Sequence, residues 1–207
     1  MKKTLFSLFL LLPLTLLAKG DDSKYLAGSV PEVDGQICFQ KSFRVPGKSS
    51  EQIQTTIASW LQQLVEQSIP APGRYARIME SNDTQVVARV CEWLVFKKKP
   101  LNLDRARLRY QIISQVDGDR VTLSATSLYY YYNENMETEQ GQLIKAEEWI
   151  SDKEALNKTQ TKLYPKSGKF RRKTIDYMET LFNTAMDIFE MQQETAPTQQ
   201  KRRNVIE

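Results

Sequence analysis

At 207 residues, 41% hydrophobic and 26% charged, the chain is long enough to bury one domain core and short for two. Its 29 basic and 25 acidic side chains leave a formal net charge of +4, too small to signal nucleic acid by itself. There is no histidine, which excludes Ser-His and Cys-His nucleophilic pairs and the usual zinc ligand sets.

The start of the chain predicts a secretory signal peptide over residues 1–18. Lys2 and Lys3 make a positive start, Leu5 to Leu17 is apolar apart from Ser7, Pro13 and Thr15, and Ala18 is a small residue at the cut. The run is short for a membrane span; an uncleaved anchor is the alternative. No cysteine lies near the cut, which argues against lipid anchoring. The expected product is soluble, without a transmembrane segment, and exported to the periplasm or cell surface of a bacterium. Losing Lys2 and Lys3 lowers its charge by two. Residues 19–35 read as an irregular N-terminal segment, loose from Lys19 to Lys24. A single domain is expected over 36–191, and a polar, disordered tail over 192–207.

Within the domain, Ile37, Phe39, Phe43 and Val45 alternate with Cys38, Gln40, Ser42 and Arg44, a strand stopped by Pro46-Gly47. Ser49 followed by Gln52 is a capping-box pattern. The helix it opens carries Ile53, Ile57, Trp60, Leu61 and Leu64 on one stripe and ends before Pro70. Tyr75 to Glu80 reads as a short strand, Ser81 to Thr84 as a turn, and Gln85 to Lys97 as a longer strand. That strand is apolar on both faces, interrupted by Arg89 and Glu92, so it is either central or bulged.

Arg105 to Tyr132 reads as a β-hairpin. Ala106, Leu108, Tyr110, Ile112 and Val116 fall on one face of its first arm, with Arg105, Arg107, Arg109, Gln111 and Gln115 on the other. In the second arm Val121, Leu123, Ala125, Tyr129 and Tyr131 are the inward set. Asp117-Gly118 suits a type I′ turn, which places Val116 opposite Asp119, Tyr110 opposite Ala125 and Ala106 opposite Tyr129. Asn133 to Gln142 follows as a polar loop. Ser151 with Glu154 predicts a second capping box and a short helix to about Asn157. The last helix carries Ile175, Met178, Leu181, Phe182, Ala185, Ile188 and Phe189 at helical spacing.

The order is strand, helix, four strands in a meander, short helix, long helix. This predicts an α+β fold, a five-stranded antiparallel sheet with its helices packed on one face. One strand is expected between those of Cys38 and Cys91. At about 10 Å they lie beyond the roughly 7 Å reach of a disulfide, and two thiols are expected.

The string Tyr25 to Gly35, YLAGSVPEVDG, and the stretch Ala146 to Asp176 resemble segments of a secreted bacterial family. That family is described only as a domain of unknown function with a TBP-like fold. The resemblance implies a curved β-α-β4-α sheet and no activity, and a TATA-binding fold does not bring DNA binding with it.

Two stretches are candidate sites. Arg105, Arg107 and Arg109, with Arg120, Thr122, Thr126, Tyr130 and Tyr132, are expected on the sheet face away from the helices. Arginine among aromatic rings there suits a polyanion; the simpler reading is a solvated sheet face. Lys166 to Lys173 is the densest basic segment, next to the start of the last helix. Its Lys169, Arg171, Arg172 and Lys173 would oppose the helix dipole by about 0.3–1 kcal/mol each unless an anion binds. The simpler reading there is a solvated loop with Asp176 and Glu179 compensating. Trp60 is expected in the core, while Trp93 and Trp149 suit core or surface equally. No paired carboxylates, glycine-rich phosphate loop or metal spacing is present, so neither metal nor cofactor is expected.

These features favour an exported, non-enzymatic binding protein whose partner is an anionic glycan, a lipid headgroup or an envelope protein, with nucleic acid disfavoured by export. The alternatives are an assembly component docked on a larger envelope protein and, third, a histidine-free hydrolase.

Overall fold

A computed structural model describes residues 21–66, 74–82, 84–99, 102–132 and 141–194. Its strands are β1 (Glu32–Val33), β2 (Gln36–Ile37), β3 (Phe39–Arg44), β4 (Tyr75–Ser81), β5 (Gln85–Lys99), β6 (Asn102–Asp117), β7 (Arg120–Tyr132) and β8 (Gln142–Lys145). Its helices are α1 (Ser50–Glu66), α2 (Asp152–Ala155) and α3 (Pro165–Glu194). β1 and β2 pair with each other. The main sheet runs β3-β7-β6-β5-β4, all antiparallel, with β8 beside β3 along the same strand, β7.

The sheet therefore has six strands where five were expected. The sixth, β8, is only four residues long and pairs with Tyr129 to Tyr132. The α+β class, the antiparallel meander and the helices on one face are as the alternation requires. Val86, Ala88, Val90 and Leu94 of β5 join Ala106, Leu108, Tyr110 and Ile112 of β6 in one buried cluster with the apolar stripes of α1 and α3. Each large side chain buried there contributes about 1.5–3 kcal/mol. β5 is both central and bulged, its register slipping between Val95 and Lys97.

The first capping box forms as expected. The Ser49 N–H donates to Gln52 Oε1 at 2.9 Å, and the Gln52 N–H returns a bond to Ser49 Oγ at 3.3 Å. The second does not. Ser151 is buried at the start of α2 and makes no side-chain cap bond. α3 begins at Pro165, whose fixed φ suits a first helical turn, so Lys166 to Lys173 lies inside the helix rather than beside it.

The hairpin forms in a different register. Its turn is Gly118-Asp119, with Asp117 opposite Arg120, and Gly118 has the positive φ (58°) while Asp119 does not. That pattern belongs to a type II′ turn, with glycine first, and it slides the arms so that Val116 faces Val121 and Ile112 faces Ala125. Further on, Ser127 and Leu128 of β7 stand opposite the single residue Tyr110, a β-bulge with Ser127 at φ 53°. The extra residue reverses the faces of β7. Leu128 and Tyr130 point into the core, and Tyr129 and Tyr131 point out, the opposite of the expected assignment.

Two strands, β7 and β6, separate β3 from β5, one more than expected. Cys38, just before β3, and Cys91, in β5, are therefore further apart than predicted, and both are thiols. No described helix is long and apolar enough to cross a membrane. α3 runs three residues into the expected tail, to Glu194. The expectations for residues 1–18, Pro70 to Gly73, most of the loop after Tyr132, and the tail beyond Glu194 lie outside the described residues.

Candidate functional site

The basic segment is an internal clamp. Arg171 has no exposed surface. Its Nε donates to Tyr25 O at 2.6 Å, its Nη1 to Ile150 O at 2.7 Å, and its Nη2 to Leu26 O at 2.7 Å and Asp152 Oδ1 at 2.6 Å. Arg172 forks onto both oxygens of Asp22 at 2.7 and 2.6 Å, which raises its pKa further. Lys169 reaches Asp104 at 2.6 Å and Tyr132 Oη at 2.8 Å. Burial works against the Lys169 charge, but those two bonds outweigh it and raise its pKa.

An anion site on Lys169, Arg171 and Arg172 is thus corrected: protein oxygens already fill the positions an anion would take. Only Lys173 of the four is exposed. Asp176 and Glu179 serve Lys24 instead, at 2.9 and 2.5 Å. Of the segment expected to be loose, Asp22 and Lys24 are held to α3 by ion pairs. The helix dipole is satisfied by carboxylates from distant parts of the chain, which is why the basic run is tolerated.

Tyr130, expected on the outer face, is fully buried and shares a 2.7 Å hydrogen bond with Thr174 of α3. Tyr132 is half-buried on the helix side, bonded to Asp104. Both displacements follow from the bulge at Ser127.

Arg105, Arg107 and Arg109 do lie on the outer face, at alternating positions of the straight arm of β6. The pairing sets them in rows across the sheet. Trp93, Arg107, Tyr131 and Leu143 make one row. Tyr75, Cys91, Arg109 and Tyr129 make the next, and Arg77, Arg89, Gln111 and Thr126 the one after. Cations and rings interleave. The Arg105 guanidinium sits 3.8 Å from the Trp93 ring centre, and Arg107 lies 5.4 Å from the Tyr131 ring centre. Arg109 stands between Tyr75 and Tyr131, at 5.7 and 5.8 Å.

Arg109 is also held at its edge. Its Nε donates to Tyr75 Oη at 2.7 Å and its Nη1 to Tyr131 Oη at 3.2 Å, and the Tyr75 bond is the main reason its pKa is raised. Among the described residues, no carboxylate pairs with Arg77, Arg89, Arg105 or Arg109. Beside Arg109, over the β6–β7 bulge, lies a shallow cavity of about 290 Å³ lined by Arg89, Arg109, Gln111, Ser127, Tyr129 and Tyr131, with Leu143 also in contact.

Sequence reasoning missed the partners of this ladder. Arg89 was visible only as an interruption of β5, and Tyr129 and Tyr131 were assigned to the core. Trp149, which suited core or surface, packs edge-on to Phe170, ring centres 5.7 Å apart. No group of His, Cys, Asp or Glu among the described residues is placed to hold a metal ion.

A family model described as a domain of unknown function (DUF4468) with TBP-like fold matches residues 39–131, from β3 almost to the end of β7. A DUF4468 family protein from Bacteroides ovatus, known from a crystal structure, is 34% identical. The match covers 83% of this chain and 96% of that one, with a TM-score of 0.73. A TBP-like protein from Parabacteroides distasonis is 17% identical over 78% of this chain and 97% of its own, with a TM-score of 0.62, and shares the fold. No curated protein matches.

Proposed function

The chain belongs to the DUF4468 family, a domain of unknown function with a TBP-like fold, and from that premise we propose a non-catalytic, exported binding protein that holds an anionic ligand on the outer face of its sheet. One observation carries the proposal. Arginines in adjacent strands share a face with aromatic rings, and Arg77, Arg89, Arg105 and Arg109 have no carboxylate partner among the described residues. On the helix side, by contrast, Arg171, Arg172 and Lys169 are each paired with a carboxylate. Positive charge left uncompensated on a broad, ring-lined surface favours an extended anion. Export is supported by the pattern of residues 1–18, and N-terminal sequencing of the secreted product is expected to read from Lys19.

A binding titration tests this reading. The mature protein is titrated with polygalacturonate at low and at physiological salt, alongside an Arg105→Gln, Arg109→Gln variant whose melting temperature is checked first. Binding that weakens with salt and falls at least tenfold in the variant is expected. No binding at low salt, or equal binding by both proteins, overturns the proposal.

A further inference from the structure

We infer that the cavity over the β6–β7 bulge is the recognition pocket of this face and that it takes one carboxylate-bearing sugar ring. The inference rests on the anion-binding reading above and adds the chemistry of the unit recognised. The bulge makes the pocket. A regular ladder would continue Thr126 and the following residues as a flat row; instead Ser127 adopts φ 53° and the chain steps before Tyr129. A positive φ at a residue other than Gly, Asn or Asp is uncommon, and such positions cluster at functional sites.

Arg109 is preorganised beside this step. Two of its five donors are taken by Tyr75 and Tyr131 hydroxyls, and among the described residues its Nη2 has no partner. A guanidinium fixed between two rings and still holding unused N–H groups suits the planar, two-oxygen geometry of a carboxylate. Arg89 brings a second cation to the same cavity.

The remaining lining narrows the class. Gln111 and Ser127 offer hydrogen bonds to hydroxyl groups, while Tyr129, Tyr131 and Leu143 offer ring and apolar surface. Inorganic phosphate would use the cations and leave the rings idle. A neutral sugar would use the rings and leave the cations unpaired. A hexuronate ring uses both. The cavity volume, about 290 Å³, is at the lower end of the range of small-molecule pockets and suits one such ring rather than several.

The test compares galacturonate, galactose and inorganic phosphate by amide chemical-shift titration of the mature protein. Galacturonate is expected to bind at least tenfold more tightly than galactose and more tightly than phosphate, shifting Gln111, Ser127 and Tyr129. Arg109→Lys keeps the charge and loses the fork, and is expected to weaken galacturonate at least tenfold. Tyr131→Phe, which frees one edge of Arg109 without removing a ring, is the second variant if the first fails to fold, and is expected to weaken galacturonate at least threefold. If polygalacturonate still binds the face but galacturonate binds no better than galactose or phosphate, the pocket assignment fails and the binding face stands. If no anion binds, both fail.

Discussion

Replacing Arg171 by Met removes one positive charge and leaves a similar length of side chain inside α3. Four hydrogen bonds go with the charge: three to the carbonyls of Tyr25, Leu26 and Ile150, and one to Asp152. Asp152 is not stranded, because its side chain is 29% exposed and its other oxygen accepts from the Gly28 N–H at 2.8 Å. Leu26 O keeps the N–H and the hydroxyl of Ser29, at 3.2 and 2.7 Å, so the carbonyls of Tyr25 and Ile150 are the ones left without their donor. Breaking a buried ion pair from one side costs about 3–5 kcal/mol, and the partial exposure of Asp152 puts this site at the lower end, about 3–4 kcal/mol. In a domain of this size that lowers the melting temperature by about 6–16 °C and the urea midpoint by about 1.5–2 M. Lys173→Gln, two residues on and exposed, is the control and is expected to change stability by less than about 0.5 kcal/mol. Urea unfolding of the two variants and the parent decides it. If Arg171→Met unfolds within about 0.3 M of the parent, the N-terminal segment is not clamped by Arg171 and the account of the basic run is wrong.

The Tyr110 and Tyr177 hydroxyls share a 2.8 Å hydrogen bond between sheet and α3. Changing either one alone to Phe is expected to cost about 1–3 kcal/mol by leaving a buried hydroxyl unpaired, with the double variant closer to the parent than the worse single; an additive cycle in urea unfolding refutes the coupling. Burial holds Tyr110, Tyr130 and Tyr177 above the usual tyrosine pKa of about 10. The unfolded chain therefore loses these protons first, so stability is full below about pH 10 and falls as pH rises above it. Equilibrium unfolding between pH 8 and 11 checks the slope, which the double Phe variant is expected to flatten. Gly118→Val meets no neighbouring atom but forces a β-branched residue to φ 58°, and is expected to destabilise by about 1–3 kcal/mol; an unchanged midpoint means that the turn relaxes to another type. Mass spectrometry of the unreduced mature protein is expected to show no linked Cys38–Cys91 peptide, because β6 and β7 stand between their strands; a mass lower by two hydrogens contradicts the strand order.

The fold was legible wherever one period ran unbroken. β6 keeps strict alternation from Arg105 to Ile112, so its two faces could be read residue by residue there, and with them the outward position of its three arginines. β7 was misread, because one extra residue at Ser127 inverts every side chain after it. Its mark, the polar pair Thr126-Ser127 that puts Leu128 out of phase with Val121, Leu123 and Ala125, is followed by four tyrosines that fit either face. The turn was misplaced by one residue since Asp117-Gly118 and Gly118-Asp119 are both acceptable pairs for primed turns. The start of α3 did carry a signal, Pro165 at a first helical position. The role of Arg171 carried none. Its partners include carbonyls 146 and 145 residues earlier, and a backbone oxygen has no residue type to recognise. The same limit hid the ladder, which depends on which strand lies beside which.

The central claim, that the outer sheet face is the binding surface, is tested most directly by amide chemical-shift mapping while polygalacturonate is titrated into the mature protein at low salt. The shifts are predicted to centre on Arg105 to Gln111 of β6, on Arg89 and Trp93 of β5 and on Tyr129 and Tyr131 of β7, and to fade as salt is added. Shifts centred instead on Lys166 and Lys173 of α3, or no shifts on the sheet at saturating polymer, would contradict it.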